Sequence, residues 1–312
     1  MKFTIPLLIV IFLSACGKTQ VEKEALPSQN RGLSCKMEGS YKPKAIYGQD
    51  NRLDWFEAPG QTTSYWARAT LALMPSQSLK LEGDEFRVVA DSYGNLMNLC
   101  PGQKFNSQPS ASFCSGFLVA DDLVVTAGHC VRSQSECEQT LFVFDYNKQD
   151  EAQENYSVPQ SSVYRCSQLV TREVGANDFA IVQLQKPVLD RTPLNLRRDG
   201  NLRVGEEVML IGHPMGLPSK IAEGGRVLKV GDKIHASVDA FAANSGSVIL
   251  NMATGLVEGI LVAGEADFQV ENGCRREAVC DGACEGEVIT PISKLLDHLP
   301  NNKYEIPISC NP

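Results

Sequence analysis

The chain is assembled from short runs of β-branched and aromatic residues that never extend into a long helical period. FCSGFLVADDLVVTA, TLFVFDY, DFAIVQL, EEVMLIGHP and SVILNMATGLVEGILVAG each carry one or two strands, with Gly, Pro, Asn and Asp cutting between them. Asp121-Asp122 divides the first run and Asn251 to Gly255 divides the last, so both read as hairpins closed by tight turns. One helix is predicted, near the end: Thr290 as N-cap, Pro291 at the first helical position, and Ile292, Leu295, Leu296 and Leu299 at helical spacing. Long helices between strands are missing. About 270 residues of this texture fit two small barrels or sandwiches better than a wound α/β sheet.

The N-terminus has a different character. Lys2 precedes an apolar stretch from Phe3 to Leu13, which closes in Leu13-Ser14-Ala15-Cys16; residues 1–15 read as a signal peptide. About eleven apolar residues are too few to cross roughly 30 Å of hydrocarbon, so no permanent transmembrane helix is expected. The Leu-Ser-Ala-Cys ending resembles the lipobox of bacterial lipoproteins. That resemblance implies an acylated Cys16 as membrane anchor and places the exported protein in the bacterial cell envelope, on the outer membrane or the periplasmic face. Ordinary cleavage before an unmodified Cys16 is the alternative. Residues 16–40 then form a tether, polar and poor in aromatics as a solvated linker should be.

Export brings oxidation. With Cys16 set aside, Cys35, Cys100, Cys114, Cys130, Cys137, Cys166, Cys274, Cys280, Cys284 and Cys310 are enough for five disulfides. Cys274, Cys280, Cys284 and Cys310 could instead offer four thiolates to zinc, but no tight Cys-x-x-Cys pair is present and the compartment favours disulfides, so no metal or other cofactor is expected. The net charge of −8 and the absence of any run of five basic residues argue against nucleic acid as a partner.

LVVTAGHC, Leu123 to Cys130, raises the central question, because His129 there could be a catalytic base, a metal ligand or a packed imidazole. Two further motifs bear on it. NDFAIVQL puts Asp178 at the mouth of an apolar strand, and ANSGSVIL puts Ser245 between Asn244 and Gly246. In the order His, Asp, Ser these residues resemble the trypsin-like serine peptidases, and the N-S-G-S setting resembles their bacterial, glutamyl-endopeptidase-like branch. AIYGQDNRLD and VGEEVMLIGHP are also family-like, and the resemblance covers about residues 41 to 300.

The resemblance implies two six-stranded antiparallel β-barrels with the active site between them, a first barrel over residues 41–190 and a second over 191–312 that ends in the short helix. It implies protein or peptide substrates, His129 as general base, Asp178 as its orienting partner and Ser245 as nucleophile. The oxyanion donors would be the backbone N–H groups of Ala243 and Ser245. It also implies a Cys114–Cys130 disulfide stapling the histidine loop; Cys137 with Cys166 is a pairing suggested by their flanking strands. The chain departs from the pattern at Ala243, where the family carries Gly, and a positive φ there costs Ala about 1–2 kcal/mol. Asn244 cannot pair with a freed N-terminal amine, so activation by N-terminal insertion is not expected. Asp239, six residues before Ser245, is either a specificity-pocket acid for basic residues or a structural carboxylate. Val262, Ala263 and Gly264 stand where glutamyl specificity would need a histidine. His213 reads as a loop imidazole, and neither it, His235 nor His298 has metal spacing. Two rival functions remain: a catalytically impaired binding module and a serine esterase.

Overall fold

The computed structural model describes residues 45–299 except 59, 281 and 283. The signal segment, Cys16, the tether, Cys35 and Cys310 lie outside the described residues.

Twelve strands form two closed antiparallel barrels. The first contains β1 (Thr70–Pro75), β2 (Cys114–Ala120), β3 (Leu123–Thr126), β4 (Thr140–Val143), β5 (Val163–Glu173) and β6 (Phe179–Leu184). Its order is β5-β6-β3-β2-β1-β4, with β4 pairing back onto β5. The second contains β7 (Glu207–Gly212), β8 (Lys220–Lys229), β9 (Ile234–Ala236), β10 (Val248–Asn251), β11 (Val257–Ala263) and β12 (Glu287–Pro291). It runs β7-β10-β11-β12-β9-β8 and closes through β7 and β8. Closure leaves no ladder of unpaired backbone groups at an open edge.

Three strands of the second barrel read as unbroken apolar runs because both of their faces are covered. Val208 and Leu210, Ile249 and Leu261 point into that barrel's own core. Their neighbours Met209 and Ile211, Val248 and Leu250, Ile260 and Val262 join a second cluster shared with Phe117, Val125 and Phe179 of the first barrel. Period-two alternation therefore sorts side chains between two cores, not between core and water. The seam between the barrels is where the loops carrying His129, Asp178 and Ser245 emerge.

Residues 45–54, which chain order groups with the first barrel, are strung along the second. Arg52–Asp54 adds to β8, and Ile46–Tyr47 pairs in parallel with Val279–Cys280. Charge holds this segment in place: fully buried Arg52 pairs with Asp50 at 2.8 Å and Glu277 at 2.7 Å. The helix predicted from Thr290 does not form. Thr290 and Pro291 finish β12, paired with Ile260 and Gly259. Two 3-10 turns follow, Ile292–Lys294 and Leu296–His298, interrupted at Leu295. Ile292 and Leu295 are still buried, so the apolar spacing marks a packed face, which strand and 3-10 turns together satisfy.

Disulfides join Cys114 to Cys130, Cys137 to Cys166, Cys100 to Cys274 and Cys280 to Cys284. The last two pairs consume Cys274, Cys280 and Cys284, three of the four cysteines that zinc would have used. Cys137 reaches Cys166 on β5 from the helix Gln134–Gln139, whose N-cap Ser133 accepts the Glu136 N–H. Among the described residues no helix is long and apolar enough to cross a membrane.

Candidate active site

β3 ends at Thr126, and the chain turns through Ala127 and Gly128 with Cys130 N–H bonded back to the Ala127 carbonyl at 3.1 Å. Because Ala180 on β6 pairs with Thr126, the antiparallel register sets Asp178 beside Gly128 and His129. Both oxygens of Asp178 are then used by one residue. Oδ2 lies 2.7 Å from His129 Nδ1, and Oδ1 accepts the His129 backbone N–H at 3.0 Å. Burial raises the Asp178 pKa, but the hydrogen bonds and charge of His129 outweigh it and hold the carboxyl below the usual range. With Nδ1–H committed to a carboxylate, Nε2 is the ring atom left to accept a proton. Gly128 permits this approach: a Cβ on it would lie 1.9 Å from the Glu173 carbonyl and 3.0 Å from Asp178 Oδ1. Arg172 Nε donates to the Gly128 carbonyl at 2.7 Å and fixes the turn from a third side.

Ser245 reaches this place from the second barrel. Its carbonyl accepts the Ser115 N–H at 2.8 Å and sits 3.7 Å from the sulfur of Cys130, the residue after His129. Ser115 Oγ donates to the Ala243 carbonyl at 3.2 Å and accepts the His213 N–H at 2.9 Å. Gly246 has φ +91, and a Cβ there would meet the Ser115 carbonyl at 1.9 Å, so the barrels touch backbone to backbone just after Ser245. From behind, Gly246 N–H bonds the Leu261 carbonyl at 2.8 Å, and Asp267 accepts the Ala242 N–H at 3.0 Å. Among the described residues the N–H groups of Ala243 and Ser245, and the hydroxyl of the partly buried Ser245, donate to no protein acceptor.

Ala243 has φ +65, the left-handed conformation that a Cβ disfavours. Ala243→Gly is expected to stabilise the protein by up to about 1 kcal/mol, or a Tm rise of about 2–4 °C, without lowering turnover. A lower Tm in calorimetry would contradict it.

Asp239 is buried, and its oxygens accept the N–H groups of Tyr47 at 2.7 Å and Asn51 at 3.0 Å. Burial raises it to about 6 against the pull of those two donors. This geometry uses the carboxylate to staple the N-terminal segment to the loop that leads to Ser245. His213 is buried, stacked on Tyr146 and bonded through Nδ1 to the Leu217 carbonyl at 3.0 Å; burial lowers it to about 3, so it stays neutral. His235 lies within β9, and His298 faces Glu173 at 3.5 Å. Cys114 and Cys130 lie close to His129, but their disulfide removes both sulfurs as metal ligands. Ser115, Asp267, Arg172 and Thr290 support the site and were not singled out for it from sequence. Ser115 stands in the quoted CSGFLV run, yet nothing local announces a partner 128 residues away.

Residues 114–260 match the family model described as the trypsin-like peptidase domain. The match spans just under half of the chain and supports a serine-type hydrolase as its class. No curated protein sequence matches the chain. Among solved structures it is similar to a serine endoprotease from Yersinia pestis, at 12% identity and TM-score 0.48, covering 77% of this chain and 66% of that one. It is also similar to a Glu endopeptidase in complex with MPD, at 15% identity and TM-score 0.46, covering 80% and 94%. An inactive mutant form from M. tuberculosis H37Rv aligns at 12% identity and TM-score 0.44, covering 78% and 89%. The chain spans just under two thirds of the Yersinia chain.

Proposed function

We propose that this protein is an exported, lipid-anchored serine endopeptidase that cleaves peptide bonds with His129, Asp178 and Ser245. The observation that carries the reading is the double engagement of Asp178 by His129, beside a loop whose Ser245 hydroxyl and two neighbouring N–H groups are unused. Ser245 Oγ attacks the scissile carbonyl as His129 Nε2 takes its proton. Asp178 holds the tautomer and stabilises the imidazolium. The oxyanion is met by the Ala243 and Ser245 N–H groups. Collapse of the intermediate expels the amine, which receives the proton from His129 and leaves an ester on Ser245. Water, activated by the same imidazole, then hydrolyses that ester.

Turnover of a peptide library against matched esters tests the reading. Peptide cleavage supports it, whereas ester hydrolysis alone supports an esterase. A non-catalytic module that binds a protein in the same cleft is favoured by one observation, the strained Ala243, and is the reading left if neither substrate is cleaved.

Anchoring at Cys16 has a separate test. Mass spectrometry of protein extracted from membranes is expected to find an acylated N-terminal Cys16; an unmodified N-terminus in the soluble fraction would end the anchoring claim.

A further inference from the structure

We propose that Lys233 is a positioning residue for the His129–Asp178 pair, acting from the second barrel through Thr290 and through its own charge; the inference rests on the triad reading above. Lys233 immediately precedes β9, and because Ile234 pairs with Ile289, the register sets Lys233 beside Thr290. Lys233 Nζ donates to Thr290 Oγ1 at 2.7 Å. The fully buried Thr290 hydroxyl donates its one proton to the Asp178 carbonyl at 3.3 Å and accepts the Asp178 N–H at 3.4 Å. An ammonium on one barrel thus grips the backbone of the carboxylate that orients the imidazole on the other.

The charge adds a second effect. Burial lowers the Lys233 pKa while the Asp178 carboxylate raises it, so the two groups are within electrostatic reach. Other charges around the pair are already engaged. Lys294, after β12, also acts on Lys233 but faces Asp232 at 3.8 Å. Glu173 at the end of β5 faces His298 at 3.5 Å, and Arg172 is bonded to the Gly128 carbonyl. Lys233 is bonded to the group that anchors Asp178. A cation there opposes the second positive charge created when His129 takes up a proton.

The test is an NMR titration of the histidine ring protons in the full chain, with His129→Ala used to assign the resonance. In Lys233→Met, which keeps the apolar stem and loses the charge, the His129 midpoint is expected to rise by about 0.5–1 pH unit. Lys233→Gln should behave the same way, and serves if the Met variant does not fold. Lys233→Arg should return the midpoint to the parent value. The acid limb of kcat/KM should move in parallel. A folded Met or Gln variant titrating with the parent overturns the proposal, as does an Arg variant titrating with the neutral ones. The resonance needs no turnover. A chain that cleaves nothing would therefore sink the peptidase reading and leave this test intact.

Discussion

Ser245→Ala and His129→Ala are each expected to lower peptide turnover by about 10⁴–10⁶-fold, with the double variant little worse than either. The reason is that the nucleophile and its base act as one unit. Without His129 Nε2 the Ser245 proton has nowhere to go at neutral pH, and without Ser245 the imidazole has no alkoxide to make. Asp178→Asn should cost about 10⁴-fold, because both of its oxygens now serve His129, and an amide nitrogen in place of Oδ2 would face the Nδ1–H as donor against donor. Steady-state kinetics with correction for trace parent enzyme checks all three. Retention of more than a few per cent of turnover in Ser245→Ala would contradict the account.

Gly128→Ala is the second large effect. The strain arises from space, since the added Cβ would lie 1.9 Å from the Glu173 carbonyl, 2.8 Å from the Phe179 carbonyl and 3.0 Å from Asp178 Oδ1. Two of these atoms are backbone in paired strands and cannot retreat without opening β5 or β6. A loss of about 3 kcal/mol in stability is expected, the upper end for overpacking. A displacement of Asp178 by about 1 Å should also cost at least about 10²-fold in turnover. Gly231→Ala is the control: its nearest neighbour would be 3.8 Å away, and a change within about 0.5 kcal/mol is expected. Equal melting curves for the two variants would mean that the turn before His129 is looser than these contacts require.

The strands, and the strand ends beside which His129, Asp178 and Ser245 stand, were legible because their signals are local. LVVT, DFAIVQL and SVIL are β-branched runs with His129, Asp178 or Ser245 at or just beyond an end, where a register between neighbouring strands brings ends together. The Asn251 turn was legible for the same reason: its Oδ1 accepts the Ala253 and Thr254 N–H groups at 3.0 and 3.1 Å, a geometry written in five consecutive residues. Thr290 was misread because a strand ending in Thr-Pro followed by turns spaces its apolar residues as a helix would. Its actual partners, Asp178 and Lys233, are 112 and 57 residues away. Asp239 shows the same limit. Counting along the chain places it at the right distance from Ser245 for a pocket, but only the tertiary arrangement reveals that Tyr47 and Asn51 use its oxygens. The placement of residues 45–54 on the second barrel likewise depends on the buried Arg52–Glu277 pair, whose members are 225 residues apart.

The most direct measurement of the central claim is reaction of the folded protein with a fluorophosphonate, followed by peptide mapping of the adduct. A single adduct on Ser245 is expected, lost in Ser245→Ala and strongly slowed in His129→Ala, because only a serine whose proton is withdrawn by a neighbouring base attacks phosphorus at a useful rate. An adduct on another serine, or labelling of Ser245 at the parent rate in His129→Ala, would contradict it.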